Sequence, residues 1–497
     1  MRPLTPDLGL GDGESATSYA ARLTQFHTGQ TGLRVVQDLA IDLGAFLKGE
    51  AHAVEALAHA AGISPTELRS CSIARFSRHR EFNGERLARD FVRPDGARFC
   101  ASCLLEDGDR STDRYARLLW RFRPVRLCLR HGAVLSAAET NAIGDRPLPF
   151  PGTPELERLA SRAISADPTP MDRWIADRVL RQPMDQGTFL ARQTLEQGVK
   201  VCEMLGATLD HGLDVTISRL SEAQLADSAA EAFEIVRQGD EAVMEALTAV
   251  RAMSVSNAGQ AKFRAFYGNL YEWVRATGGD VGPGPIRDLL RDHIKARTAL
   301  GLGDTVLGEE ISERTMHSAY TLSRATRLHP KRLRKILVRL GIAPENCDDL
   351  DYNLLVFPVG ETEQLCLDLH EAVPLSGLPG DLGCSRAQAE SLCRSGFINP
   401  VVPPGEGIGR IDYARREITR VLSWLEGLPV WAPADGVDLT RAAKMTSLST
   451  GDLLAGIRDG TIGAGRMPGA PWISAIRIRK SDIRRLQLET RGPPVSA

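Results

Sequence analysis

Apolar residues recur at helical spacing along most of the chain, and glycine, proline and capping residues interrupt that spacing. Near the N-terminus the pattern predicts a helix over Ser18 to Phe26 and a second apolar-periodic stretch from Leu33 to Phe46. Val54 to Gly62 reads as a helix closed by glycine. Ser64 then stands as an N-cap, with Pro65 at the first helical position and Glu67 at the third. Helix, turn and capped second helix make a helix-turn-helix signature. From about Pro151 to Met316 the helical period dominates, through Leu190 to Met204, Glu231 to Val236, Glu241 to Val250, Phe263 to Val274 and Ile286 to Ile294. Breaks fall at Gly239, at Gly278-Gly279 and at the glycine-proline run from Gly282 to Pro285. This middle part reads as a helical bundle, and its acidic stretch from Asp227 to Glu245 as a solvated face.

The C-terminal part holds a weak internal repeat. One unit runs from Thr321 to His329 and on through Pro330 to Ile342; the second spans Leu382 to Ile398; the third covers Leu439 to Ser449 and Leu453 to Ile462. In the last two, Ser385 and Gly396, and Ser449 and Gly460, bracket one short capped helix. An apolar strand-like pair follows each glycine, and the third unit continues into a strand pattern from Trp472 to Ile478. Two helices followed by a hairpin form a winged helix-turn-helix layout, and Gly341, Gly396 and Gly460 space modules of similar size.

Composition narrows the class. The 497 residues have room for about three domains, and 43% hydrophobic with 25% charged residues is ordinary for a globular protein. A net charge of −2 provides no global attraction to nucleic acid, so any such role rests on local patches. Three of the nine cysteines fall in one motif and the others are scattered. That is no secreted disulfide framework, and it fits a reducing cytoplasm. The opening residues lack the apolar run of a signal peptide, and no run of about 18 apolar residues occurs. A cytoplasmic protein without a membrane span is expected.

The motif is Cys100-x-x-Cys103 followed by Cys128-x-x-His131. Two pairs of ligands can close a tetrahedral shell around one Zn²⁺ and leave no position open for water or substrate, which makes the metal structural. Coincidental core cysteines are the competing explanation, and the two-residue gap within each pair argues against it. Between the pairs, Tyr115 to Phe122 predicts a short helix or strand carrying Trp120.

The helix from Pro330 to Leu340 is the candidate nucleic-acid element. Lys331, Arg332, Arg334, Lys335 and Arg339 decorate it without an acidic residue, while Leu333, Ile336, Leu337 and Leu340 supply its apolar face. Cations at helical spacing can face one groove, and phosphate contacts would make such binding salt-dependent. A solvated cationic helix, or one facing an acidic protein, is the plainer alternative. The second and third units are less basic and read as packing or partner-binding modules, although Arg477, Arg479 and Lys480 could grip a backbone. Between Arg75 and Arg98 arginines alternate with Phe76, Phe82 and Phe91. That pattern suits either base stacking or a solvated face over buried rings. The chain has no phosphate-binding G-x4-G-K-[ST] loop, no H-E-x-x-H and no G-x-S-x-G.

Phe99-Cys100-x-x-Cys103-Leu104-x-Glu106-Asp107-Gly108, then Trp120, Cys128-x-x-His131-Gly132 and Leu135, resemble the TniQ/TnsD family of transposon target-selection proteins. Glu14-Ser15, Ser18-Tyr19 and Arg22-Leu23 resemble its N-terminal block, and Gly268 to Trp273 and Ala319 to Gly341 resemble its longer members. The likeness is dense over roughly residues 1–140. It departs where the family has proline after the first cysteine of each pair; here Ala101 and Leu129 stand. The resemblance implies a non-catalytic adaptor that recognises target DNA or an RNA-guided CRISPR complex and recruits an AAA+ ATPase regulator of the TnsC/TniC kind, which brings the transposase. A DNA-binding transcriptional regulator with a structural zinc site is the alternative. The expected architecture is mainly α: a helix-turn-helix and zinc-finger domain over 1–150, a helical domain over 151–316, and tandem winged helix-turn-helix modules over 317–497.

Overall fold

A computed structural model describes residues 3–138, 146–180, 188–256, 262–276, 281–404, 411–432 and 436–491; the Gly278-Gly279 break lies outside them. The described residues are mainly helical, with short antiparallel strands. They fall into two compact units, Met1–Ser256 with Ala261–His293, and Ile294–Ala497.

In the first unit, Ser15 caps the helix Ala16–Thr28 by accepting from the Ser18 amide. The apolar stretch from Leu33 to Phe46 resolves into two short helices, Arg34–Asp38 and Leu43–Leu47. Asp42 separates them, because its carboxylate accepts from the Gly44 and Ala45 amides and starts a new helix. Ala51–Ala61 ends at Gly62 in the left-handed conformation (φ 73°), and Ser64 caps Pro65–Ser70 through the Glu67 amide. Tyr19, Leu23, Val36, Phe46, Leu57 and Leu68 form the core beneath these helices.

The arginine-rich run is a three-stranded antiparallel sheet, Ala74–Arg75, His79–Phe82 and Glu85–Ala88. Phe82 and Phe91 are buried, each in edge contact with Phe122, while Phe76 is exposed and stacked on His79. The middle helices pack on this sheet: Leu195–His211 presents its first amide to Glu85 Oε2 at 2.7 Å, and its Glu203 pairs with Arg123 at 3.0 Å. It crosses Glu222–Val236 where Gly206 meets the Ser228 backbone. A Cβ there would fall 2.1 Å from Ser228 O, so only glycine permits the approach.

The second unit contains three repeats of strand, helix, turn, helix, strand, helix. The first comprises Met316–Ser318, Ala319–Thr326, Pro330–Arg339, Val356–Pro358 and Val359–His370. The second comprises Val373–Pro374, Leu378–Leu382, Arg386–Arg394, Asp412–Tyr413 and Arg415–Glu426. The third comprises Gly436–Asp438, Leu439–Thr446, Thr450–Arg458, Ile476–Arg479 and Lys480–Arg491, with an extra strand Ala464–Arg466. In each repeat the two flanking strands pair antiparallel. Each turn places one residue in the left-handed region, Arg327 (φ 55°), Gly383 (φ 59°) or Ser447 (φ 57°). The second helix is then capped by His329, Ser385 or Ser449. The strand expected from Trp472 begins only at Ile476, because Trp472–Ala475 forms a 3-10 turn. The first repeat has its own core of Leu322, Leu333, Leu337 and Phe357. The second and third share one, including Leu382, Leu392, Tyr413, Leu453, Leu454 and Ile478.

Candidate metal centre

Two short elements bring the four ligands together. Cys100 precedes the helix Ala101–Asp107, so Cys103 lies in its first turn and Glu106 one turn further along the same face. Cys128 ends the strand Leu127–Cys128, which pairs with Ala133–Val134. The Gly132 amide, on a residue with φ 57°, donates to Cys128 O at 2.8 Å and closes the turn that carries His131. His131 Nδ1 lies 3.5 Å from Cys100 Sγ, 3.3 Å from Cys103 Sγ and 3.6 Å from Cys128 Sγ; Cys103 and Cys128 sulfurs are 3.5 Å apart. A tetrahedral ion with sulfur at about 2.3 Å and nitrogen at about 2.0 Å has edges of roughly 3.5–3.8 Å. The cluster fits such an ion.

Three crowded sulfurs cannot all carry negative charge unaided. Donation from the Cys100 and Cys103 thiols holds Cys128 far below the usual thiol range, while the Cys100 sulfur first and the Cys128 sulfur next push Cys103 far above it. A divalent cation would resolve the conflict by accepting all three as thiolates. Burial tends to lower the His131 pKa, but its bonds to Glu106 and Cys128 outweigh this and leave it raised. Glu106 Oε1 is 2.9 Å from His131 Nε2, and its other oxygen takes Arg130 at 2.8 Å. With the proton held on Nε2, the Nδ1 lone pair faces the sulfurs.

The residues around the ligands hold the two elements in place. Leu104 is fully buried. Asp107 takes a bidentate pair from Arg117 at 2.6 and 2.8 Å, and the same guanidinium lies over Tyr115 and Trp120. At Gly108 (φ 135°) a Cβ would meet Asp113 Oδ2 at 2.7 Å. The opening motif anchors the first helix to this region. Buried Glu14 accepts from the Gly11 amide, Ser18 Oγ and Arg22, and Ser18 Oγ accepts from the Ala116 amide at 2.9 Å. Burial raises the Glu14 pKa, against the opposing pull of Arg22.

The five cations predicted on the Pro330–Arg339 helix do not share one face. Arg334 is buried, donates to Asp348 O at 2.6 Å and Leu350 O at 2.9 Å, and lies over the Tyr352 ring. Arg332 pairs with Asp412 at 3.1 Å, and Arg339 donates to Pro404 O at 3.1 Å. Lys331 and Lys335 are exposed without an ion partner among the described residues. Arg324 and Arg327 beside the turn are exposed in the same way. Both lie before the second helix, outside the cationic pattern that its sequence carries. Arg477 donates to Ser474 O and Ile476 O, and Arg479 lies over Trp431.

Residues 6–135 match the family model TniQ, a stretch that contains all four ligands and the opening motif around Glu14. No curated protein matches the chain.

Proposed function

From the TniQ domain at residues 6–135, the mark of a transposition-associated target-selection family, we propose that this protein is a non-catalytic adaptor of DNA transposition. In this reading the N-terminal region binds an AAA+ ATPase regulator that brings the transposase, and the C-terminal repeats act as winged helix-turn-helix modules that meet target DNA or a guide complex. The carrying observation is that the matched stretch closes on the four-ligand cluster. Three sulfurs and one imidazole nitrogen suit Zn²⁺. Held by Cys100, Cys103, Cys128 and His131, the ion would cross-link helix and hairpin and supply folding energy. Four protein ligands complete a tetrahedron, which is the arrangement of a structural ion. No helix among the described residues is long and apolar enough to cross a membrane, and the adaptor role places the protein in the cytoplasm with the DNA it serves.

Co-purification with an AAA+ ATPase regulator of the TnsC/TniC kind tests the reading. Retention of that protein by the wild type, lost when Cys128→Ser removes a ligand, is expected. Absence of any complex in the presence of ATP and DNA would overturn it. A promoter-binding regulator would use the same modules and bind DNA without an ATPase partner, so the same experiment separates the two.

A further inference from the structure

The repeats differ on one helix face. Two residues after the cap of the second helix stand Lys331, Ala387 and Gly451; six after stand Lys335, Ser391 and Ala455; ten after stand Arg339, Ser395 and Asp459. In the first repeat all three positions are exposed. In the second and third repeats these faces touch at one point, where Gly451 is buried against Ser391 and Ser395, while Ala387 and Asp459 stay exposed. The Gly451 amide donates to Ser391 Oγ at 3.2 Å, and a Cβ on Gly451 would lie 2.0 Å from Ser395 Oγ and 3.0 Å from Ser391 O. The helices Arg386–Arg394 and Thr450–Arg458 therefore cross in backbone contact at the faces that an isolated module would offer to DNA.

Groove width decides what this crossing permits. The major groove is about 12 Å wide and admits one helix, while a helix with its side chains is about 10–12 Å across. Two helices in contact cannot both enter, and each blocks the approach of the other. Arg386 and Arg394 remain exposed on the second repeat, but Arg386 is paired with Glu390. The first repeat is also fixed to the second, through Arg332 to Asp412 and Arg339 to Pro404 O. Its remaining free cations flank the turn and the start of its second helix, where a docked helix meets the phosphate backbone.

We propose that the three repeats divide their labour. The face carrying Arg324, Arg327, Lys331 and Lys335 is the surface that meets the phosphate backbone of duplex DNA. The second and third repeats, whose second helices cross at Gly451, form a platform that holds it and read no DNA through those two helices. This rests on the DNA limb of the reading above.

The test is a salt titration of full-length protein on a short mixed-sequence duplex, read by anisotropy, with thermal melts confirming that each variant folds. Each lost phosphate contact lowers the slope of log K against log salt by about 0.9. Lys331→Gln with Lys335→Gln should therefore lower the slope by about 2. Arg324→Gln with Arg327→Gln should do the same, and Arg386→Gln with Arg394→Gln should leave it unchanged. Wild-type binding that is insensitive to the first two pairs, or weakened by the third, overturns the division of labour while leaving DNA recognition standing. A wild type that binds no duplex at low salt overturns both, yet leaves ATPase recruitment to be judged by its own experiment.

Discussion

Gly451→Ala probes the crossing between the second and third repeats directly. The new methyl carbon would sit 2.0 Å from Ser395 Oγ, 2.5 Å from Ser395 Cβ and 3.0 Å from Ser391 O, where ordinary contact begins at 3.4 Å. The hydroxyl can rotate away, but Ser395 Cβ and the Ser391 carbonyl are fixed by their helix. The two helices must move apart by roughly 1 Å, which also stretches the bond from Gly451 N to Ser391 Oγ. Overpacking of this size costs about 1–3 kcal/mol, offset in part by alanine's helix propensity, at most about 1 kcal/mol over glycine. For a unit spanning Ile294–Ala497, about 1–2 kcal/mol lowers its own melting transition by roughly 2–8 °C. Hydrogen exchange should quicken in Arg386–Arg394 and Thr450–Arg458. Ser395→Gly removes the obstructing carbon, so the double variant should recover most of the loss, with a coupling above about 0.5 kcal/mol. A melting point and exchange rates equal to wild type, or strictly additive single and double variants, would refute the packing argument.

Other predictions address the metal centre and the first repeat. Cys128→Ser, or a strong chelator, should abolish bound zinc by elemental analysis and expose residues around Trp120 to protease; a metal-free protein with wild-type protease resistance would count against a structural ion. Lowering the pH should release the metal, since protons compete for three sulfurs and for His131, whose raised pKa starts that competition earlier; metal retention independent of pH through the histidine range would be inconsistent with this. Glu106→Ala should weaken zinc binding toward the lower end of the 10–100-fold range for outer-sphere partners, because Glu106 is partly exposed; chelator competition reads the effect, and unchanged affinity would remove its orienting role. Arg334→Ala should lower stability by about 1–3 kcal/mol by stranding the carbonyls of Asp348 and Leu350. A loss of DNA affinity at unchanged stability would instead return Arg334 to the contact surface.

What the sequence disclosed was local. The ligand spacing, the serine caps at 64, 385 and 449 and the closing glycines at 341, 396 and 460 each bind within one turn, so they are visible in a short window. The TniQ-like flanks were legible as a pattern, and the structure gives them physical causes: the Asp107–Arg117 pair, the close approach at Gly108 and the buried Glu14. What escaped was decided at long range. The periodicity of Pro330–Arg339 places Arg334 on its edge, and nothing local tells that the loop through Tyr352 wraps it. The alternation of arginine and phenylalanine before the metal centre conceals a sheet whose register is set by pairing across turns. The crossing at Gly451 depends on small residues, which carry no hydrophobic signal at all.

Arg327 holds its turn in a left-handed conformation that its side chain disfavours, at a cost on the order of 1 kcal/mol, where the second repeat uses glycine. Stability and charge are therefore opposed at this position. Arg327→Gly would relax the backbone while removing a cation, so a firmer fold and a weaker hold on a polyanion would arrive together. If the turn meets DNA as proposed, arginine there trades stability for the reach of a guanidinium, and Arg327→Gly would separate the two effects.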